Sequence, residues 1–129
     1  ITTYETLVNY QHSLARHVGG RPLWSVVVSD EAQRAKSMRT KISVALKAVT
    51  PGFHVAATGT PVENRLLDLW NLVDTVQPGL LGTARDFARI YEAPLAQGPE
   101  AQRTTLATLR GELLFGAPHA FLVRRNKTQ

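Results

Sequence analysis

Apolar and polar positions fall in blocks that predict helix, strand, helix and strand, followed by helices. Tyr4, Leu7, Val8, Leu14, Ala15 and Val18 recur near a helical period and predict a first helix. Thr2 and Glu5 have the spacing of a capping box at its start, and Gly19-Gly20 followed by Pro22 closes it. The block Leu23–Ser29 has another character. Its apolar run from Trp24 to Val28 is broken only by Ser25, and such a β-branched run predicts a strand buried on both faces of a parallel sheet. It ends abruptly in two carboxylates, Asp30 and Glu31.

Met38, Ile42, Ala45, Leu46 and Val49 then mark one face of a second helix, which Thr50-Pro51-Gly52 stops. Phe53–Ala57 reads as another short buried strand, running into Thr58-Gly59-Thr60-Pro61. Strand, helix and strand within about 35 residues make a βαβ unit with parallel strands and a right-handed crossover. Parallel strands share an edge, so Asp30-Glu31 and Thr58-Gly59-Thr60 are expected to emerge side by side. Thr60-Pro61-Val62-Glu63 carries the signals of a helix start, with Val62, Leu66, Leu69, Trp70, Val73 and Val76 as the stripe and Pro78-Gly79 as the end. Further helices are predicted over 83–92, stopped by Pro94, and over 100–115, stopped by Gly116 and Pro118, with Gln97-Gly98-Pro99 as the loop between them. Phe121-Leu122-Val123 reads as a last short strand. The fold class is therefore α/β, with a mostly helical C-terminal half.

The 129 residues are 43% hydrophobic and 19% charged, which suits one folded domain with a core and excludes a disordered chain. No apolar run approaches the roughly 20 residues of a membrane span, and no secretory signal pattern occurs, so no membrane partner is expected. The absence of cysteine excludes disulfides and thiolate metal sites and fits a cytoplasmic protein, or a nuclear one in a eukaryote. A net charge of +5 favours a polyanionic partner, nucleic acid first, although many small domains are mildly basic. The chain begins at Ile1 without methionine and ends in Arg124-Arg125-Asn126-Lys127-Thr128-Gln129. Both ends look cut, so a fragment of a longer protein is expected, and with it self-association through exposed apolar edges or faces.

Ligands of parallel sheets bind beyond the carboxyl ends of the strands. Asp30 and Glu31 stand at such an end, placed to hold a metal ion and activate a water. The competing reading is a helix whose first turn carries acids favoured by its dipole. Asp30-Glu31-Ala32-Gln33 has the form of a Walker-B motif, in which an aspartate positions Mg²⁺ on nucleotide phosphates and a neighbouring carboxylate deprotonates water. The histidines at 12, 17, 54 and 119 have neither the spacing nor the companions of a zinc site, and His54 reads as a satisfied, partly buried strand residue. No Gly-x-Ser-x-Gly elbow occurs, and Trp70 and Phe87 read as core. Arg34, Lys36, Arg39, Lys41 and Lys47 suit contacts to DNA phosphates or, equally, a solvated helix face; Arg124, Arg125 and Lys127 pose the same choice.

The motifs together resemble a known family. Val27-Val28-Ser29-Asp30-Glu31-Ala32-Gln33-Arg34-Ala35-Lys36-Ser37 resembles motif II of superfamily 2 helicases of the SWI/SNF type. The stretch from Ala57-Thr58-Gly59-Thr60-Pro61 to Leu69-Trp70-Asn71-Leu72 resembles motif III of that branch. Ile1-Thr2-Thr3-Tyr4-Glu5 resembles the segment upstream of motif II, and Leu122-Val123-Arg124-Arg125-Asn126-Lys127 the segment closing the first motor lobe. Ser37 stands in place of the usual asparagine, and Ser29 in place of an apolar residue.

The resemblance implies part of an ATP-driven translocase on double-stranded DNA, built as a partial P-loop (RecA-like) lobe that closes on ATP and Mg²⁺ against a second lobe. It implies that Asp30 ligates Mg²⁺, Glu31 is the catalytic base, and Gln33 senses the γ-phosphate. Thr58, Gly59 and Thr60 would couple nucleotide state to DNA. Lys36, Arg39, Lys41, Arg124 and Arg125 are candidate DNA contacts. It further divides the chain into the back half of lobe one (1–79), a helical protrusion (80–118) and the lobe end (119–129). No Gly-x-x-x-x-Gly-Lys-(Ser/Thr) occurs in the 129 residues, so the isolated chain is expected to be inactive. The alternative is a non-catalytic DNA- or protein-binding module derived from such a lobe.

Overall fold

The computed structural model describes residues 1–59 and 65–115. They form two units, one ending at Phe87 and one starting at Ala88. Thr60, the Thr60–Glu63 helix start, the Phe121–Val123 strand and Arg124, Arg125 and Lys127 lie outside the described residues.

The predicted first helix is two short ones, α1 (Tyr4–Asn9) and α2 (Gln11–Leu14). The cap is Thr3 instead of Thr2: its hydroxyl accepts the Thr6 amide at 3.2 Å. The helix does not continue to Val18. His17–Val18 (β1) pairs antiparallel with Arg21–Pro22 (β2) across Gly19-Gly20. Those glycines have φ of +58° and +76°, the left-handed pair that a tight two-residue hairpin requires. The Gly-Gly pair that was expected to end a helix thus turns a hairpin.

The predicted βαβ unit is present. Val26–Ser29 (β3) lies parallel to Phe53–Ala56 (β4), with Val26 opposite Phe53 and Ser29 opposite Ala56. Leu23–Ser25, predicted as strand, precede β3. The Trp24 indole instead donates to the Leu14 carbonyl at 2.8 Å. Helix α3 (Lys41–Ala48) makes the crossover, and its start is fixed by the Thr40 hydroxyl, which accepts the Ser43 amide at 3.2 Å. Met38, predicted on its apolar face, therefore falls before the helix and is exposed. Gly52 lies so close to Ser25 that an added Cβ would stand 3.0 Å from the Ser25 carbonyl oxygen, which already accepts the Phe53 amide at 2.8 Å.

Burial on both faces does not occur. Val27, Ser29, His54 and Ala56 face inward, whereas Val26, Val28, Phe53 and Val55 share the other face and are 55%, 65%, 64% and 37% exposed. Within this first unit the described helices lie on one side of the two-stranded sheet. The core of this unit joins Leu7 of α1, Ala45 and Leu46 of α3, Ala35 and Val49, with Val27 packed against it.

Helix α4 (Leu66–Val76) follows an extended Arg65 (φ −139°, ψ 143°), so no continuous helix runs up to it from the predicted start. It is buried nearly all round, Trp70 included. Asn71 is fully buried on it; its amide nitrogen donates to the Ala35 carbonyl at 2.7 Å and the Ser43 hydroxyl at 2.9 Å. One polar side chain thus ties α4 to α3 and to the turn that follows β3. Thr83 caps α5 (Ala84–Phe87), exchanging hydrogen bonds with Asp86. Phe87 is fully buried, as predicted for core.

In the second unit Pro94 does not stop the chain. A π-helical turn (Ala88–Glu92) passes into a 3₁₀ turn (Ala93–Gln97) that carries Pro94 in its first positions, where a missing amide hydrogen costs nothing. Helix α6 (Pro99–Phe115) matches its prediction and buries Leu109 and Leu113. Tyr91 is buried beside Glu112; burial, then the Glu112 carboxylate, push its phenol up to about 12. Among the described residues no helix is long and apolar enough to cross a membrane.

Replacing Asn71 by Ala removes both hydrogen bonds and leaves a buried carbonyl and hydroxyl without them. A loss of about 2–4 kcal/mol is expected in chemical denaturation, visible as a lower midpoint at unchanged slope.

Candidate functional site

The parallel register delivers two turns to one edge. The Ala57 amide donates to the Ser29 carbonyl at 2.8 Å, and the Ala32 amide to the Ala57 carbonyl at 2.9 Å. Asp30 and Glu31 are thereby held beside Thr58 and Gly59, as the βαβ reading predicts. The segment after the acids is a 3₁₀ turn, Ala32–Ala35, with Glu31 at its cap position and no side-chain cap. Neither acid lies inside a helix, so the dipole reading does not describe them. Glu31 has φ 49° and ψ 45°, a left-handed conformation that costs a non-glycine residue on the order of 1 kcal/mol and concentrates at functional sites. The neighbouring Asp30 carboxylate accepts the Glu31 amide at 2.9 Å, an interaction that supports the bend.

Gln33 bridges the two turns. Its amide nitrogen donates to the Glu31 carboxylate, and its oxygen accepts the Thr58 hydroxyl at 2.6 Å. Asp30, Glu31, Gln33 and Thr58 therefore form one chain of polar groups, with both acids exposed to solvent. Among the described residues no three acidic, histidine or cysteine side chains form a metal cage. Two adjacent carboxylates suit Mg²⁺, which is held by one or two carboxylates together with substrate phosphates and retained waters.

Behind the acids stands a second polar layer. Ser29 is buried and its hydroxyl hydrogen bonds His54 Nε2 at 2.9 Å. The polar residue that departs from the motif II pattern thus has a partner on the paired strand. His54 is buried but only half satisfied, because Nδ1 has no partner within hydrogen-bond geometry. Burial lowers its pKa, and a smaller pull from the Thr75 backbone opposes this. From the other side, the Tyr4 hydroxyl donates to the Asp30 carbonyl at 2.5 Å. Arg34 pairs with Glu5 at 2.6 Å and lies over the Tyr4 ring, 5.2 Å from its centre.

The predicted basic cluster divides. Arg34 is engaged by Glu5, and Lys47 by Asp74 at 2.6 Å and by the Trp70 ring at 4.9 Å. Arg39 and Lys41 stay exposed but do not join the acidic turn; they line a shallow groove with Val8, Gln11 and Val44. Lys36 closes the 3₁₀ turn, its amide donating to the Gln33 carbonyl at 3.1 Å. Sequence reasoning missed Tyr4, Glu5 and Asn71. Tyr4 sits on an apolar stripe and Asn71 on a helix buried nearly all round, and nothing local marks their polar ends as reaching the turn.

Comparison with known proteins agrees with this geometry. The SNF2-related domain profile matches residues 1–129. The chain belongs to the SNF2-related domain family. It is 46% identical over 110 residues to the Zorya protein ZorD of Escherichia coli O139:H28, which covers 85% of the chain and 10% of that protein. It is 35% identical to the DNA excision repair protein ERCC-6-like of Bos taurus over 134 residues, covering 100% of the chain and 11% of the relative. The Sulfolobus solfataricus SWI2/SNF2 ATPase core solved with double-stranded DNA matches with a TM-score of 0.65 at 34% identity, covering 82% of this chain and 22% of that one. The RecA-like α/β class follows from that match. The SNF2-type chain described here spans about a tenth of the length of these curated relatives.

The buried histidine generates a pH dependence with a definite sign. Its pKa is lowered from 6.5 in the folded chain and returns to that value on unfolding. The unfolded chain therefore takes up the proton first, and stability is full above about pH 6.5 and declines below it. The thermal midpoint is expected to fall from about pH 7.5 to about pH 5.5, and a non-titrating His54→Asn variant is expected to flatten that dependence.

Proposed function

We propose that this chain is the acid-bearing part of an ATP-dependent motor acting on double-stranded DNA. The single observation that carries the reading is the polar chain Asp30–Glu31–Gln33–Thr58, assembled at the carboxyl edge of parallel strands. Family membership and the DNA-bound neighbour support it. Bound with ATP, Mg²⁺ supplies charge neutralisation on the phosphates. Asp30 is the residue that holds it. Glu31, exposed and in a left-handed bend, takes the proton of the attacking water. Gln33 orients Glu31 and connects it to Thr58, so that the Thr58-Gly59-Thr60 segment feels the state of the acids. Lys36, Arg39, Lys41, Arg124 and Arg125 are the candidate DNA contacts, and residues 80–118 are the helical protrusion of the lobe. Hydrolysis needs a phosphate-binding loop and a second lobe, so the 129-residue chain alone does not turn over ATP.

The bare sheet face supports a second property of the isolated chain, self-association. Val26, Val28, Phe53 and Val55 form one exposed apolar surface, and such surfaces mark contact sites.

Two measurements test these readings. In the full-length protein, Glu31→Gln is expected to lower DNA-stimulated ATP hydrolysis by about 10²-fold or more while nucleotide binding persists. Intact hydrolysis overturns the assignment of Glu31 as base. For the isolated chain, sedimentation is expected to rise with concentration and to become monomeric in Phe53→Lys. A concentration-independent monomer in the unsubstituted chain overturns self-association.

A further inference from the structure

The acidic turn is poorly supported by the sheet that delivers it. The ladder ends at Ser29 and Ala57, and beyond it the Ala32 amide reaches the Ala57 carbonyl and the Gln33 side chain the Thr58 hydroxyl. Asp30 and Glu31 are exposed, and Glu31 holds an unfavourable conformation. An exposed, strained turn relaxes unless surrounding structure over-determines it. The missing support comes from the start of α1, more than twenty residues upstream. Tyr4 donates to the Asp30 carbonyl at 2.5 Å, just before the strained residue. Glu5, the next residue, holds Arg34 at 2.6 Å, just after the Gln33 bridge. The Arg34 guanidinium closes the loop by lying over the Tyr4 ring. Helix α1 is itself fixed by Leu7 in the core.

We infer that Tyr4, Glu5 and Arg34 form a clamp that holds the acidic turn from both sides, as positioning residues for the reaction of Asp30 and Glu31. Several observations distinguish the clamp from ordinary packing. The Glu5 and Arg34 side chains are 64% and 49% exposed, and pairs this exposed contribute little to stability. What the pair does fix is direction, since the fork of a guanidinium defines an orientation that an ammonium does not. Tyr4 is half-buried, with its hydroxyl on the Asp30 carbonyl and its ring under the Arg34 guanidinium. The Glu5 carboxylate, lowered first by its own backbone amide and then by Arg34, stays charged. Both clamp contacts act as fixed struts on the turn.

The clamp rests on the proposed function for its consequence and on the structure for its existence, and its test separates the two. In the full-length protein, Tyr4→Phe keeps the ring and removes only the hydroxyl. Amide hydrogen exchange in the peptide spanning 30–36 is expected to accelerate about fivefold, the loss of one hydrogen bond, with β4 and α3 unchanged. The kcat for ATP hydrolysis is expected to fall about tenfold with KM for ATP within about twofold, and the thermal midpoint to stay within about 2 °C. Arg34→Ala is expected to behave alike, and Arg34→Lys to recover part of the loss. Unchanged exchange in 30–36 overturns the clamp, whatever the activity. Exchange that rises throughout the domain together with a lower midpoint also overturns it, because that is the signature of a merely structural residue. Localised faster exchange in a protein whose unsubstituted form does not hydrolyse ATP supports the clamp and overturns the proposed function instead.

Discussion

The parallel register of β3 on β4 is the constraint from which the site follows. Ser29 stands opposite Ala56, so the two strands run out together and their next residues share one edge. A slip of either strand by one residue would turn Ser29 or His54 to the open face and carry the Ser29–Ala57 and Ala32–Ala57 hydrogen bonds out of reach. The register is fixed because the inward face is not uniformly apolar. Val27 enters the core, while Ser29 and His54 must meet each other. A buried hydroxyl and imidazole that satisfy one another only in this alignment specify it more sharply than four valines could, at the cost of one unsatisfied ring nitrogen.

The second determinant is the way α4 reads the turn after the acids. Asn71 reaches the Ala35 carbonyl and the Ser43 hydroxyl from a helix otherwise buried in apolar contact. An apolar residue of that size would pack, but it would leave two polar groups without these bonds in a dry interior. Position 71 is therefore chosen by the turn, not by the helix. The acidic turn thus receives struts from α1 before it in sequence and from α4 after it. Its geometry depends on elements that share no local pattern with it.

That distribution explains what was legible in the sequence. Strands β3 and β4, the crossover helix, the body of α4, and α6 were readable because apolar periodicity is a local signal. So was the meeting of Asp30-Glu31 with Thr58, which follows from parallel topology alone. The hairpin at Gly19-Gly20 was misread because a glycine pair ends a helix and turns a hairpin with the same left-handed angles; only strand pairing distinguishes them. The left-handed Glu31 was invisible, since nothing in a glutamate announces positive φ. Tyr4 was hidden because it occupies an apolar stripe, and Asn71 because it lies off the predicted stripe on a helix that is buried nearly all round.

The expectation of two-sided burial failed for a reason that is itself informative. Val26, Val28, Phe53 and Val55 have the side chains of core positions, and the pattern correctly registers their chemistry. What it cannot register is which element covers them, and no described helix of this unit does. Each such side chain gains roughly 1.5–3 kcal/mol when fully withdrawn from water, so a face of four is a strong driving force for contact. The inward face, by contrast, spends its positions on Ser29 and His54, which stabilise less but set alignment. The sheet thus keeps its most apolar side chains on one face and its alignment residues, beside the acids, on the other. The Tyr4, Asn71 and Gln33 contacts that bracket the turn therefore owe nothing to the exposed face that carries Val26 and Phe53.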